Sequence, residues 1–412
     1  MNFKKISVIG LGYIGLPTAA IIASRGIDVI GVEIKQSAVD IINDGKIHII
    51  EPDLDIVVRS AVQVGKLKAT TSPEPADAFM IAVPTPFKEQ HQPDLSYIEA
   101  AAKTIAPVLK KGNLVILEST SPVGATEKLA TWLAEARPDL SFPINGAENT
   151  DINIAYCPER VLPGYVLQEL VSNDRIVGGL TQECANKAVS LYNTFVKGDC
   201  LITNARTAEM AKLTENSFRD VNIAFANELS QICDTLDINV WELIKLSNLH
   251  PRVNILNPGP GVGGHCIAVD PWFIVSSDPK NAKLIKTARE VNDGKPFYVV
   301  EKVVKAAERF KAPVIACLGL SFKADIDDIR ESPAVEIVKM LVEKKAGQLL
   351  IVEPNINSLP SSLEGNVEMI DLNESFSRAD IVLLLVDHKE FKRVQFDRLH
   401  GCVMIDTRGL WV

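Results

Sequence analysis

Ile6-Ser7-Val8-Ile9-Gly10-Leu11-Gly12-Tyr13-Ile14-Gly15-Leu16-Pro17 is an apolar run interrupted by glycines at positions 10, 12 and 15. Residues 5–10 read as a buried strand, 14–24 as a helix and 28–32 as a second strand, so the glycines fall in the turn of a βαβ unit. There they permit a tight turn and close backbone approach, while the helix N-terminus offers amide donors to a pyrophosphate. Glu33 closes the second strand about 20 residues on, where a carboxylate binds ribose hydroxyls and repels a 2′-phosphate. This predicts NAD rather than NADP, with a glycine-rich turn beside a surface glutamate as the plainer alternative. Lys4-Lys5 and the apolar stretch to Ala23 mimic a secretory leader, but the glycines and Pro17 break it.

Apolar runs at 78–83 and 114–117 alternate with helical stretches, the rhythm of a parallel sheet covered on both faces. Residues 207–236 form one long helical pattern without Gly or Pro, a spine between domains. Strand signals return at 314–318, 349–352, 381–386 and 403–405. Ala76-Asp77-Ala78 leads into FMIAV much as Ala379-Asp380-Ile381 leads into VLLLV, and LVILEST parallels CVMIDTR. The expected fold is therefore α/β, with two Rossmann-type doubly wound parallel-sheet domains, 1–200 and 311–412, joined by a central helical domain, 201–310.

The chain of 412 residues is 47% hydrophobic and 23% charged, ordinary for a globular protein. A net charge of -9 argues against nucleic-acid binding, and no run of about 20 apolar residues suggests a membrane span. Seven cysteines, at 157, 184, 200, 233, 266, 317 and 402, include no CxxC, which suits a reducing compartment and points to the cytoplasm.

One cysteine stands apart. Gly259-Pro260-Gly261-Val262-Gly263-Gly264-His265-Cys266 ends a glycine run on a thiol, and Asp270 follows four residues later. The glycines are expected to expose backbone and leave room for a bulky substrate, and Asp270 shares the face if a helix begins there. Spacing alone leaves catalytic and packing roles for Cys266 both open, and no second ligand pair supports a metal site. Lys212 and Asn216, four apart on the spine helix, project from one face and could stabilise an oxyanion, or simply lie on a solvated face. Glu159 falls in a strand-exit loop, where carboxylates are usually solvated. Thr120 follows a strand, as a ligand contact or a helix cap. Lys323 and Arg330, after the strand at 314–318, are cations for a phosphate compound or members of surface salt bridges.

ISVIGLGYIGLP at 6–17, AVPTP at 82–86, ESTSPVG at 118–124, CPERVLPG at 157–164, AEMAKLTEN at 208–216, GPGVGGHCIAVD at 259–270 and FKADIDDIRES at 322–332 occur in one order. Together they resemble the UDP-sugar 6-dehydrogenase family along almost the whole chain. The resemblance implies that Cys266 is a nucleophile with Asp270 as its partner, that Lys212 and Asn216 stabilise oxyanions, and that Glu159 assists thioester hydrolysis while Thr120 orders water. It implies NAD contacts from Gly10, Gly12, Tyr13, Ile14, Gly15, Glu33, Pro84, Thr85, Thr120 and Arg330. Substrate contacts are implied for Glu159, Arg160, Val161, Lys212, Asn216, Arg219, Gly259, Gly263, Phe322 and Lys323, with Arg252 reaching the substrate of a neighbouring subunit in a homodimer built on the central helix. Pro163 stands where glucose-oxidising relatives carry a second glutamate, and Val262 where they carry an aromatic residue. These departures favour a 2-acetamido sugar and leave its manno, gluco or galacto configuration open, as they do the base for the first proton among Asp270, Lys212 and a water near Thr120. A two-electron hydroxyacid dehydrogenase and a non-catalytic sensor of NAD or nucleotide sugar are the competing expectations.

Overall fold

A computed structural model describes residues 3–411 except 89–90, 163, 265–266 and 395–400. The chain divides into two compact units, Met1–Thr214 and Glu215–Val412. In the first, an eight-stranded sheet is built from β1 (Lys5–Ile9), β2 (Asp28–Val32), β3 (Leu67–Thr70), β4 (Ala78–Ile81), β5 (Leu114–Leu117), β6 (Asn153–Tyr156), β7 (Arg175–Gly179) and β8 (Cys200–Asn204), in the order β3-β2-β1-β4-β5-β6-β7-β8. Strands β4, β5 and β6 are buried at every residue, which is why they read as unbroken apolar runs. Helices on both faces enclose two apolar cores, one around Val8, Ile22 and Met80, the other around Phe79, Ile116's neighbour Leu117 and Tyr156. The order reverses between β1 and β4, so the crevice at their carboxyl ends is the switch point where such sheets bind ligands. The sheet departs from the all-parallel expectation at one place: β6 and β7 run antiparallel.

The second unit contains a parallel sheet of β9 (Val314–Leu318), β10 (Gln348–Val352), β11 (Glu368–Met369), β12 (Ile381–Leu384) and β13 (Val403–Asp406), ordered β11-β10-β9-β12-β13. Its core order repeats that of β2-β1-β4-β5. The repeat extends to the turns: Gly10 and Gly319 both have positive φ, +89° and +93°, and both donate their N–H to the last residue of the neighbouring strand, Val32 and Val352, at 2.8 Å. A side chain would be strained at either position.

The helix Ala205–Leu236 spans 32 residues, about 48 Å at 1.5 Å per residue. Asn204 opens it by accepting the Thr207 N–H on its side chain at 2.8 Å. In the second unit, the helix Lys283–Ala307 turns Arg289, Asn292 and Lys295 inward, and Asp270–Ser277 forms a helix that begins on Asp270.

Candidate active site

At the end of β1 the glycines have distinct steric duties. A Cβ on Gly15 would overlap the Gly10 carbonyl oxygen, and one on Gly10 would lie 2.6 Å from the Ala82 carbonyl oxygen, whereas one on Gly12 would meet no protein atom within 4 Å. Gly10 and Gly15 thus close the turn, and Gly12 keeps its outer side open for a pyrophosphate to reach the backbone. Glu33 accepts the Leu11 N–H on one oxygen and the Lys35 N–H on the other, each at 3.2 Å, which fixes the carboxylate at the strand end with further lone pairs for ribose hydroxyls. These residues fit NAD. Tyr13 and Pro84 are exposed and Ile14 is half-buried around the same turn. Thr85 donates its hydroxyl to the Thr120 carbonyl at 2.6 Å, and Ser119 donates to the Val83 carbonyl at 2.6 Å, tying the loops after β4 and β5 together. Thr120 does not cap the following helix, which begins at Ala125 after Gly124.

Glu159 is not the solvated loop carboxylate its position suggested. It is only 7% exposed, accepts the Arg160 N–H at 2.7 Å, and pairs with Arg175 at 2.6 Å. Arg175 opens β7, is itself buried, and also donates to the Leu170 carbonyl. Burial of such a pair is tolerated because each charge meets its partner. Glu118, 3% exposed at the end of β5, joins the cluster by accepting the Tyr192 hydroxyl at 2.8 Å. Burial first, and then the negative Glu159, push its carboxyl from 4.5 up to about 7. Cys157 in the same place is pushed up to about 12 by burial and is inert as a nucleophile. Arg160 reaches the Asp174 carbonyl, and Val161 packs on the edge of the core. Sequence reasoning missed Glu118, Arg175 and Tyr192. The one signal was an arginine at the mouth of a buried strand.

On the long helix Lys212 is half-buried and Asn216 buried. Three residues before Lys212, buried Glu209 accepts the Gly124 and Thr126 N–H groups and the Thr126 hydroxyl at 2.6–2.8 Å, anchoring the helix start to the segment after Thr120. Asn216 donates its amide to Asp270 at 2.5 Å. Asp270 does begin a helix, and both of these side chains are buried. Deeper in this unit Arg289 pairs with Asp220 at 2.5 Å, Asn292 donates to Asp220 at 2.8 Å, and Asn227 donates to Asn292 at 2.9 Å. Asn227 then accepts the Gly259 N–H at 2.9 Å, so this buried chain ends at the start of the glycine run.

The run itself corrects the expectation that its glycines leave space for substrate. A Cβ on Gly261 would lie 2.9 Å from Pro333 Cβ, one on Gly263 2.6 Å from Pro333 Cδ, and one on Gly264 2.9 Å from the Phe322 ring. The glycines let the loop seat itself on the 322–333 segment. His265 and Cys266 lie outside the described residues. Phe322 is half-buried there, Lys323 is exposed, and Arg330 forms a two-pronged pair with Asp328 at 2.8 and 2.6 Å. Arg219 and Arg252 are exposed.

Family models for the UDP-glucose/GDP-mannose dehydrogenase family match the chain in three consecutive pieces: the NAD binding domain over 4–196, the central domain over 206–294 and the UDP binding domain over 316–412. The chain belongs to this family. It is an NAD-dependent UDP-sugar dehydrogenase. It is 66% identical over 411 residues to the NDP-N-acetyl-D-galactosaminuronic acid dehydrogenase of Ralstonia nicotianae, covering 100% of this chain and 97% of that one. It is also 66% identical over 401 residues to the UDP-N-acetyl-D-mannosamine dehydrogenase of Campylobacter jejuni, covering 97% and 98%. The solved UDP-D-ManNAc dehydrogenase of Pyrococcus horikoshii superposes with a TM-score of 0.89 at 39% identity, over 99% of this chain and 96% of that one.

Proposed function

We propose that this dehydrogenase oxidises C6 of UDP-N-acetyl-D-mannosamine to the carboxylate of UDP-N-acetyl-D-mannosaminuronate, in the bacterial cytoplasm, for surface polysaccharide synthesis. Residues 1–200 serve NAD, 201–310 carry the catalytic groups and 311–412 hold the nucleotide. Alcohol, water and two NAD⁺ become carboxylate, two NADH and three protons. NAD, when bound by the 10–15 turn and Glu33, supplies the hydride acceptor for both oxidations. The Cys266 thiolate forms a bond to C6 at the aldehyde level, a thiohemiacetal, and keeps it as a thioester after the second oxidation. Lys212 and Asn216 hold the negative charge on the C6 oxygen at each stage, an effect of roughly 3 kcal/mol per donor in comparable sites. Glu159 takes a proton from the water that adds to the thioester, and the C–S bond then breaks to return the thiolate.

The observation that carries this reading is the Asn216–Asp270 hydrogen bond. It fixes the amide assigned to the oxyanion against the carboxylate four residues beyond Cys266. A two-electron dehydrogenase needs no covalent trap, and so no thiol four residues before that carboxylate in the sequence. A 2-acetamido sugar is supported by Pro163 and Val262, and the manno epimer by relatives named for it at 60–66% identity. UDP-N-acetyl-D-galactosamine is the second reading, favoured by the 66% identity to the Ralstonia protein. A homodimer is supported by a stripe of exposed apolar side chains on the long helix, Phe218, Phe225, Ile232 and Leu236, spaced by seven, seven and four residues. Among the described residues no helix is long and apolar enough to cross a membrane.

The test is a panel of UDP-sugars with NADH release and identification of the acid. Two NADH per sugar, with the manno epimer turned over fastest, is expected. Preference for the galacto epimer would select the second reading, and one NADH per sugar from the native enzyme would defeat the thioester scheme. Cys266→Ser should complete the first oxidation at most.

A further inference from the structure

We propose that His388 is a positioning residue for the nucleotide end of the substrate: from beneath the 319–325 loop it holds the backbone that presents Phe322 and Lys323. The proposal rests on the reading that Phe322 and Lys323 bind the UDP moiety.

The internal repeat makes the case. Glu353 follows β10 as Glu33 follows β2, and each accepts the backbone N–H of the leucine after the turn glycine, Leu320 at 2.7 Å and Leu11 at 3.2 Å. Glu33 is half-exposed and keeps capacity for a ribose. Glu353 does not: it is 4% exposed, accepts the Ser321 N–H at 3.1 Å and the Asn355 N–H at 2.9 Å, and has His388 Nε2 at 3.1 Å. The second half has therefore kept the carboxylate and buried it among protein partners, the imidazole of His388 among them.

His388 is fully buried. Its Nδ1 accepts the Asp325 N–H at 2.9 Å and lies 2.9 Å from the Asn355 side-chain amide. These donors assign the proton to Nε2, which donates to Glu353. The ring thus grips both ends of the loop, its start through Glu353 and its end directly at Asp325. Between the grips Ser321 donates its hydroxyl to the Lys323 carbonyl at 2.7 Å and Phe322 donates its N–H to the Asp328 carbonyl at 3.0 Å. Asp325 has φ +62°, an uncommon conformation for a residue with a side chain, and persists because its neighbours hold it. Its carboxylate also accepts the Lys389 N–H at 3.0 Å. A loop held at this many points is preorganised, so binding does not have to order it.

The test uses the full-length enzyme with His388→Leu, which fills the volume without polar atoms, His388→Asn, which keeps an acceptor where Nδ1 lies, and Lys323→Ala. His388→Leu should raise KM for the UDP-sugar, and Kd for UDP by calorimetry, about tenfold while KM for NAD stays within about twofold. His388→Asn should recover most of the loss. A role in stability alone would lower the melting temperature without this split. If Lys323→Ala weakens UDP and His388→Leu does not, the proposal is overturned and the parent reading stands. If Lys323→Ala leaves UDP binding unchanged, the parent reading fails. Should His388→Leu not fold, His388→Gln, which keeps the donor to Glu353 but not the Asp325 acceptor, replaces it, and unchanged UDP affinity there overturns the proposal.

Discussion

Replacing Glu118 by glutamine should remove a pH-dependent loss of stability. Glu118 shares its site with Glu159, Arg175, Tyr192 and Cys157, so two carboxylates face one guanidinium among buried side chains. Ionising both leaves an uncompensated negative charge there, and burial together with Glu159 therefore raises the Glu118 carboxyl from 4.5 to about 7. The folded state binds this proton more tightly than the unfolded chain. Its stabilisation is complete below 4.5 and is lost as pH rises through about 7. At about 1.4 kcal/mol per pH unit the full loss is on the order of 3 kcal/mol, and most of it falls between pH 5 and pH 8. Burial is complete, so solvent screening does not reduce it. Glutamine copies the shape of the neutral acid, still accepts the Tyr192 hydroxyl, and cannot ionise. Urea unfolding at fixed protein concentration should show the native chain losing about 2–3 kcal/mol relative to Glu118→Gln between pH 5 and pH 8. Infrared difference spectra, native minus variant, should contain a carboxylic-acid carbonyl band at pH 6 that is gone at pH 8.5. Parallel stability curves together with no such band would refute the reasoning, since Glu118 would then be ionised beside Glu159 throughout.

Other substitutions probe the remaining parts. Gly12→Ala should leave the melting temperature nearly unchanged, within about 0.5 kcal/mol of stability, yet weaken NAD at least about tenfold by titration, while Gly15→Ala should disrupt the first turn itself and lower the melting temperature. Arg175→Met leaves Glu159 buried without its partner and should cost about 3–5 kcal/mol in urea unfolding, with most of the loss relieved in the Arg175→Met/Glu159→Gln double variant. Glu33→Ser removes the charge opposing a 2′-phosphate and should shift the NAD to NADP ratio of kcat/KM toward NADP by about tenfold or more. An unchanged ratio would mean that Glu33 serves only the Leu11 and Lys35 N–H groups.

Strands buried on both faces were legible because they leave continuous apolar text: β2 and β5 lie on the residues their patterns indicated. The long helix begins at Ala205 rather than 207 because Asn204 caps it, and a cap three residues upstream of the apolar periodicity is easily missed. The antiparallel turn of β7 leaves no trace in composition, since a buried strand reads alike in both directions. Pairings across sequence were opaque for a related reason. Glu159 meets Arg175 across 16 positions and Glu353 meets His388 across 35, and no local period reports such contacts. The glycine run was visible, but a bare backbone advertises only that something approaches closely. Whether that neighbour is a ligand or the protein's own Phe322 and Pro333 is a question of tertiary structure.

That packing has a bearing on how sugar preference can change. Since Gly261, Gly263 and Gly264 are each pressed against neighbouring atoms, no bulk can be added at any of them without dislodging the segment that carries the thiol. Val262 alone among these four positions already bears a side chain. Adaptation of this loop to a new sugar, by evolution or by design, is thereby funnelled through one residue.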